Sequence, residues 1–322
     1  MKAAVVFQKG ELPKYTSDFE EPILSKEHEL IISVKASAIK NLDKLRASGN
    51  HYSVKAIDKP FIVGSDGVGH LENGQRVYAI GLSGMMAEKA IVPKDEVLIL
   101  PDGVSDAMAA ALPNAVMGSS LVLLCRAKLQ KGEVVLINGA TGVTGKMAIQ
   151  LAKYYGARKV VATGRNEKVF DELISLGADE VISLNSSGAD FTAAVKRLHQ
   201  QSPVDVVLDY LWGASAEHIL HALSGNIGYS HRTRFITVGA LAGDKITLSS
   251  STLRGTDISL LGSGLGTWRD DEMKFFLRDL LPETFRLAAD NKIKMDILEY
   301  TLENIEDAWC IDASGKRVVV RI

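Results

Sequence analysis

The segment Ile137-Asn138-Gly139-Ala140-Thr141-Gly142-Val143-Thr144-Gly145-Lys146 sets glycines where an apolar run ends and a helical pattern begins. That spacing suits the cradling of a diphosphate. In the ideal G-x-G-x-x-G turn the first glycine makes a tight bend. Here Ala140 holds that position and Gly139 stands just before it. Gly142 lets the backbone approach a pyrophosphate, and Gly145 lets the helix pack on the strand. The first N–H groups of the helix and its positive dipole end attract phosphate, which places Thr141, Val143 and Thr144 against the ligand as well. A glycine-rich strand-to-helix turn without a ligand is the plain alternative.

The next strand decides which dinucleotide fits. Sites for NAD carry Asp or Glu about 20 residues beyond the glycines, to accept from the ribose 2′-hydroxyl. Here the strand ends Ala162-Thr163-Gly164-Arg165-Asn166-Glu167-Lys168. Arg165 stands at the tip, flanked by Gly164 and Asn166, with Lys168 close behind. A guanidinium matches a 2′-phosphate in a bidentate fork, and a charge-assisted contact is worth about 1.5–3 kcal/mol. These residues predict NADP(H). A solvated arginine at a helix start is the alternative. Glu167 falls inside the following helix. Later loops complete the cover, with Leu211 after one strand, Gly239 after another and Ser263 after the last. Asp209 reads as a cap for backbone N–H groups.

These residues need a parallel sheet to position them, and the middle of the chain supplies its pattern. Val134–Ile137 is a short apolar run, as expected of a strand buried on both faces, and Lys159–Ala162, Glu180–Leu184, Val204–Leu208, Arg234–Val238 and Ile258–Leu261 read as further strands. Helical patterns over Lys146–Tyr155, Glu167–Leu176 and Phe191–Gln200 separate the first of them, which gives βαβ units. The first hundred residues read differently. Leu30–Ala36, Arg76–Ile80 and Val97–Leu100 are glycine-punctuated strands of a β-rich region. The end is mixed: a helix over Asp271–Ala289, a strand near Glu299–Thr301, a short helix at Ile305–Trp309 and a final strand over Arg317–Arg321.

Composition narrows the function classes. The 322 residues exceed what one core usually serves, so two domains are expected. The net charge of -2 gives no electrostatic case for nucleic acid or an anionic membrane. Two distant cysteines, Cys125 and Cys310, make neither a disulfide framework nor a metal cluster, and they fit a reducing cytoplasm. The uncharged stretch from Ala107 to Cys125 is long enough for a membrane span. With Pro113, Asn114, Gly118, Ser119 and Ser120 inside it, it reads as a buried helix broken at Pro113.

Several further motifs occur in a telling order: Pro60-Phe61-Ile62-Val63-Gly64-Ser65-Asp66-Gly67, Gly74-Gln75-Arg76-Val77, Ala87-Glu88-Lys89-Ala90 and Leu100-Pro101-Asp102-Gly103. Ala109-Ala110-Ala111-Leu112-Pro113, Lys131-Gly132-Glu133-Val134, the glycine turn, Leu176-Gly177-Ala178-Asp179 and Gly315-Lys316-Arg317-Val318 continue it. In that order the chain resembles a medium-chain dehydrogenase/reductase of the zinc-free quinone oxidoreductase branch, nearly end to end. The resemblance implies an α/β fold: a Rossmann doubly wound parallel sheet inserted into a β-rich, GroES-like catalytic domain. The implied bounds are 1–118 and 264–322 for the catalytic domain and 119–263 for the NADP-binding domain. Many such relatives are dimers or tetramers, so a homodimer acting on a small molecule is expected, while the cysteine usage and charge above point to the cytoplasm and to no nucleic acid or membrane partner.

Zinc-containing relatives carry a cysteine where this chain has Lys40 and a histidine where it has Ser65. Neither replacement ligates zinc, so no metal is expected. Quinone oxidoreductases carry an asparagine at position 40 and often a tyrosine at position 45, so the substrate pocket does not carry over intact. Lys40, Asn41, Tyr52 and Asn114 are the polar groups expected nearest the nicotinamide. Hydride transfer from NADPH to a quinone or an α,β-unsaturated carbonyl is the expected reaction. Lys40 would be the cation facing the developing enolate, and Tyr52 or water would give the proton. Alternatively, Lys40 pairs with Asp43 or Asp66 or contacts a ribose hydroxyl, and Tyr52 packs. Two rival functions stand beside this one: a non-catalytic NADPH-binding sensor or structural protein, and a zinc-free alcohol or ketone reductase.

Overall fold

A computed structural model describes residues 1–49, 59–224 and 231–322. The chain forms two compact units, one from Met1–Asn114 with Leu277–Ile322, the other from Ala115–Phe276.

In the first unit the strands are β1 (Ala3–Val6), β2 (Lys14–Thr16), β3 (Glu29–Ala38), β4 (Phe61–Ile62), β5 (Asp66–His70), β6 (Arg76–Ile80), β7 (Lys89–Pro93) and β8 (Leu98–Ile99). Helix α1 (Asn41–Ala47) follows β3, and α2 (Asp106–Val116) follows β8. The unit's core gathers Ala4, Val6, Val63, Met86, Trp309, Val318 and Val320 on one side, and Ile32, Val34, Val77, Met85 and Val92 on the other. Strands β2, β1 and β4 make a small antiparallel sheet.

The second unit alternates strand and helix: β9 (Val134–Asn138), α3 (Val143–Tyr154), β10 (Lys159–Gly164), α4 (Phe170–Ser175), β11 (Glu180–Ser183), α5 (Gly188–Gln201), β12 (Val206–Asp209), α6 (Gly213–Leu223), β13 (Thr233–Thr237), α7 (Ser250–Gly255), β14 (Ile258–Gly262) and α8 (Asp270–Phe275). The strands lie in the order β11-β10-β9-β12-β13-β14, and every pairing is parallel. The order reverses between β9 and β12. A doubly wound sheet opens its ligand crevice at such a reversal, beyond the carboxyl ends of the strands. Strands β9 and β12 are buried throughout, because helices cover both faces.

The chain then returns to the first unit with α9 (Leu281–Ala289), β15 (Ile297–Thr301), α10 (Ile305–Cys310) and β16 (Arg317–Arg321). Strand β16 runs between β15 and β3, so both ends of the chain share one sheet in the order β15-β16-β3-β5-β6-β8, with β7 also on β3.

One expectation fails. The helix starting at Asp106 does not break at Pro113. It continues through the proline and changes to π-helical winding over Met117–Arg126. Proline removes one N–H from the ladder and crowds the carbonyl four residues earlier. Here the later ladder shifts register, as in the Ala127 N–H donating to the Val122 carbonyl at 2.9 Å. This helix is long and apolar enough to cross a membrane, and 67% of its most apolar window is buried.

Candidate active site

The glycine turn lies at the carboxyl end of β9, where the strand order reverses. Gly139 has φ 86°, a conformation costly for residues with a Cβ. A side chain at Gly145 would come within 2.6 Å of the Ala140 Cα and 2.8 Å of the Gly139 carbonyl oxygen, so α3 seats directly on the turn. At Gly142 the space is open, with nothing within 4 Å of where a Cβ would stand. Gly142 is also the N-cap of α3, and no side chain caps the helix. The first N–H groups of α3, from Val143, Thr144 and Gly145, therefore face this open ground. A diphosphate fits such a cradle, because the donors need an acceptor and the backbone is accessible.

Neighbouring strands bring in the other expected residues. Thr141 leans over Gly164, where any side chain would collide with its methyl group. Ala140 N–H donates to the Thr163 carbonyl at 2.8 Å. Beyond Gly164, Arg165, Asn166 and Lys168 are exposed, and among the described residues neither cation has an ion-pair partner. Leu211 follows β12 and packs against Gly139. Gly239 follows β13 and lies so close to Tyr210 that a Cβ would come within 2.7 Å of its carbonyl oxygen. Ser263 follows β14, its N–H donating to the Thr237 carbonyl at 2.9 Å. All these residues stand at the carboxyl ends of adjacent parallel strands.

Beneath the turn lies a buried polar network that sequence reading resolves only at Asp209. Asn138 Nδ2 donates to Asp209 Oδ1 at 2.8 Å and to Ser215 Oγ at 2.9 Å. Thr163 Oγ1 donates to Asn138 Oδ1 at 2.7 Å. Asp209 also accepts from the Leu211 and Trp212 N–H groups, as a loop cap does. Burial raises the pKa of Asp209, while these donors oppose the shift. Side chains from β9, β10 and β12 are thus tied together under the cradle.

The first unit holds the second cluster. Lys40, at the N-cap of α1, is 3% exposed. Its ammonium donates to the Ala38 carbonyl at 2.9 Å, lies 3.2 Å from Asp43 Oδ2 and makes a short ion pair with Asp66. Both pairing alternatives for Lys40 are therefore present together. Burial pulls its pKa down, but the two carboxylates outweigh this and leave it above the ordinary value. Asp43 also accepts from Ser65 Oγ at 2.6 Å, and Tyr78 donates its hydroxyl to Asp66 at 2.6 Å. Burial, then the Asp66 charge, push the Tyr78 phenol well above its usual range.

Arg317 on β16 brings the second cation, 7% exposed, donating to Asn114 Oδ1 at 3.3 Å. Burial lowers its pKa to about 10, against the pull of Asp66 and Asp43, so it stays charged at neutral pH. Tyr78 and Arg317 escape sequence reading, because their partners are remote in the chain. Val77, Tyr78 and Ala79 are all buried on β6, so no alternation singles Tyr78 out.

Beside this cluster a cavity of about 580 Å³ is walled by Phe19, Phe61, Ile62 and Leu82, with Asp43 and Ser65 on its lining. Asn41 is exposed at the start of α1. Tyr52 lies outside the described residues. Among the described residues no group of three His, Cys, Asp or Glu side chains is placed to hold a metal ion.

Comparison with known proteins agrees with this layout. A family model described as zinc-binding dehydrogenase matches residues 143–280. The quinone oxidoreductase of Sus scrofa is 30% identical over 271 residues, which span 80% of this chain and 79% of that protein. A probable NADPH-dependent quinone reductase of Emericella nidulans is 27% identical and covers 96% of each chain. Among solved structures, the quinone oxidoreductase of Thermus thermophilus, determined also in complex with NADPH, superposes with TM-score 0.78 at 26% identity over the full length of both chains. By sequence and by fold, the chain belongs to the quinone oxidoreductase-like branch of the medium-chain dehydrogenase/reductase superfamily.

Proposed function

We propose that this protein is an NADPH-dependent oxidoreductase that works without zinc and reduces a quinone or an α,β-unsaturated carbonyl. One observation carries the reading: an uncapped helix start at Gly142 beside an exposed arginine, Arg165, at the tip of the adjacent parallel strand. The first meets a diphosphate and the second a 2′-phosphate. The donor set therefore fits NADPH, which supplies hydride when bound. Relatives whose names or structures include NADPH support the same cofactor.

The protein's residues bind, orient and shield. Val143, Thr144 and Gly145 hold the diphosphate through backbone N–H groups. Arg165, with Lys168, holds the sugar phosphate. The apolar part of the cavity wall beside Ser65, from Phe19, Phe61 and Ile62, suits a flat substrate, and Glu20, Glu21 and Arg46 on the same lining leave room for polar groups upon it. The Lys40 ammonium is shared among Asp43, Asp66 and the Ala38 carbonyl, so it acts by fixing α1 and the Ser65 loop rather than by touching substrate. The proton that follows hydride then comes from water or from Tyr52. An ammonium at position 40 and a hydroxyl at position 65 are poor zinc donors, which supports chemistry without the metal.

Two further properties belong to this reading. Among the described residues strand β14 closes one edge of the sheet and pairs with β13 alone, and Leu260 upon it is 36% exposed. That edge suits pairing with a second copy, giving a homodimer. Free thiols at Cys125 and Cys310 suit the cytoplasm. The test is NADPH consumption over a panel of quinones, enones, aldehydes and ketones. Steady oxidation with quinones or enones is expected. Turnover confined to aldehydes and ketones would make it a carbonyl reductase. Tight NADPH binding with no turnover on any member would make it a sensor.

A further inference from the structure

Glu167 stands two residues past Arg165, the lone acid between Gly164 and Lys168. An acid near this strand tip ordinarily favours a ribose 2′-hydroxyl and repels a 2′-phosphate. Glu167 is held, however. Its Oε1 accepts from Ser183 Oγ at 2.5 Å and from Asn185 Nδ2 at 3.2 Å. Ser183 ends β11, the parallel neighbour of β10, in register with Gly164. Asn185 Nδ2 also donates to the Arg165 carbonyl at 2.8 Å, and Asn185 N–H donates to Ser183 Oγ at 3.1 Å. These donors hold the Glu167 carboxyl below its usual pKa range, so it is ionised. Even so, Glu167 and Arg165 form no ion pair among the described residues.

We propose that Ser183 and Asn185 are positioning residues for cofactor choice: they fasten the Glu167 carboxylate to the end of β11 and leave the Arg165 guanidinium open to a 2′-phosphate. The proposal rests on the reading of Arg165 as the phosphate anchor. Once released, the Glu167 carboxylate has two effects, both in the same direction. It pairs with Arg165 and repels the phosphate dianion, weakening NADPH. It also offers an acceptor to a 2′-hydroxyl, strengthening NADH. Discrimination between the two coenzymes thus depends on a side chain that need touch neither.

The experiment measures dissociation constants of NADPH and NADH by calorimetry on the full chain. The Ser183→Ala/Asn185→Ala variant is expected to lower the NADPH-over-NADH preference by about threefold or more. Adding Glu167→Gln to that variant is expected to restore it, because the freed charge is gone. An unchanged preference in the double variant overturns the proposal. So does a loss that Glu167→Gln fails to rescue, since Asn185 would then act through the Arg165 backbone alone. Arg165→Asp is the control. If it leaves the preference intact, the phosphate-anchor reading fails; if it abolishes the preference while the double variant does not, only the clamp fails.

Discussion

Lys40 carries a full positive charge into a place that water barely reaches. Such a charge is tolerated because Asp43 and Asp66 sit against it, and the same two carboxylates pull against the burial that lowers the Arg317 pKa. Removing one member exposes the rest. Lys40→Met should cost about 3–5 kcal/mol of folding stability, read from denaturant unfolding, because two buried carboxylates lose their nearest cation. NADPH affinity of the folded fraction should change little, since the cradle lies in the other unit. At the second site the sign is reversed: Arg165 is exposed and contributes little to the fold. Arg165→Asp should leave the melting temperature in place and weaken NADPH about tenfold to hundredfold more than NADH, as measured by calorimetric titration.

Among the elements, α3 and the turn before it are the most closely fitted. Gly145→Val would drive a branched side chain into the Ala140 backbone, 2.6 Å from where its Cβ must go. The turn would have to lift, so NADPH binding should fall at least tenfold with a smaller loss in thermal stability, checked by titration and melting. Much of this is legible in the residues themselves. Strand β9 reads as a short apolar run because both its faces are covered, and β6 and β16 match the expected bounds. Other elements are harder to read. Helix α6 lies beyond the expected elements, although Ala216, Ile219, Leu220 and Leu223 mark a buried stripe. The local rule makes Pro113 a break, but a shifted ladder and burial outweigh it. The Lys40 cluster is half legible. Asp43 lies one helical turn away, whereas Tyr78 and Arg317 meet it only through sheet pairing, which no local spacing encodes.

For the whole molecule, stability depends on more than the sites. His199 is buried on α5, its Nδ1 accepting from the Val204 N–H at 3.1 Å, and His231 stacks edge-on to it at 5.8 Å. Burial first, then His231, hold its pKa below 6.5, with Asp205 pulling the other way. The unfolded chain therefore binds a proton more readily than the folded one. Stability is full above the unfolded value of about 6.5 and declines as pH falls from there toward the folded pKa. The melting temperature should drop between about pH 7 and pH 5, and His199→Asn should flatten that slope.

The four charges at positions 40, 43, 66 and 317 are buried and cancel one another. Their neutrality is collective, so none of them is free to drift alone through evolution. A lineage that loses the lysine is expected to lose an aspartate with it, or to acquire some other cation in the same step. Covariation among these far-separated positions would be the inherited trace of an electrostatic balance struck by folding.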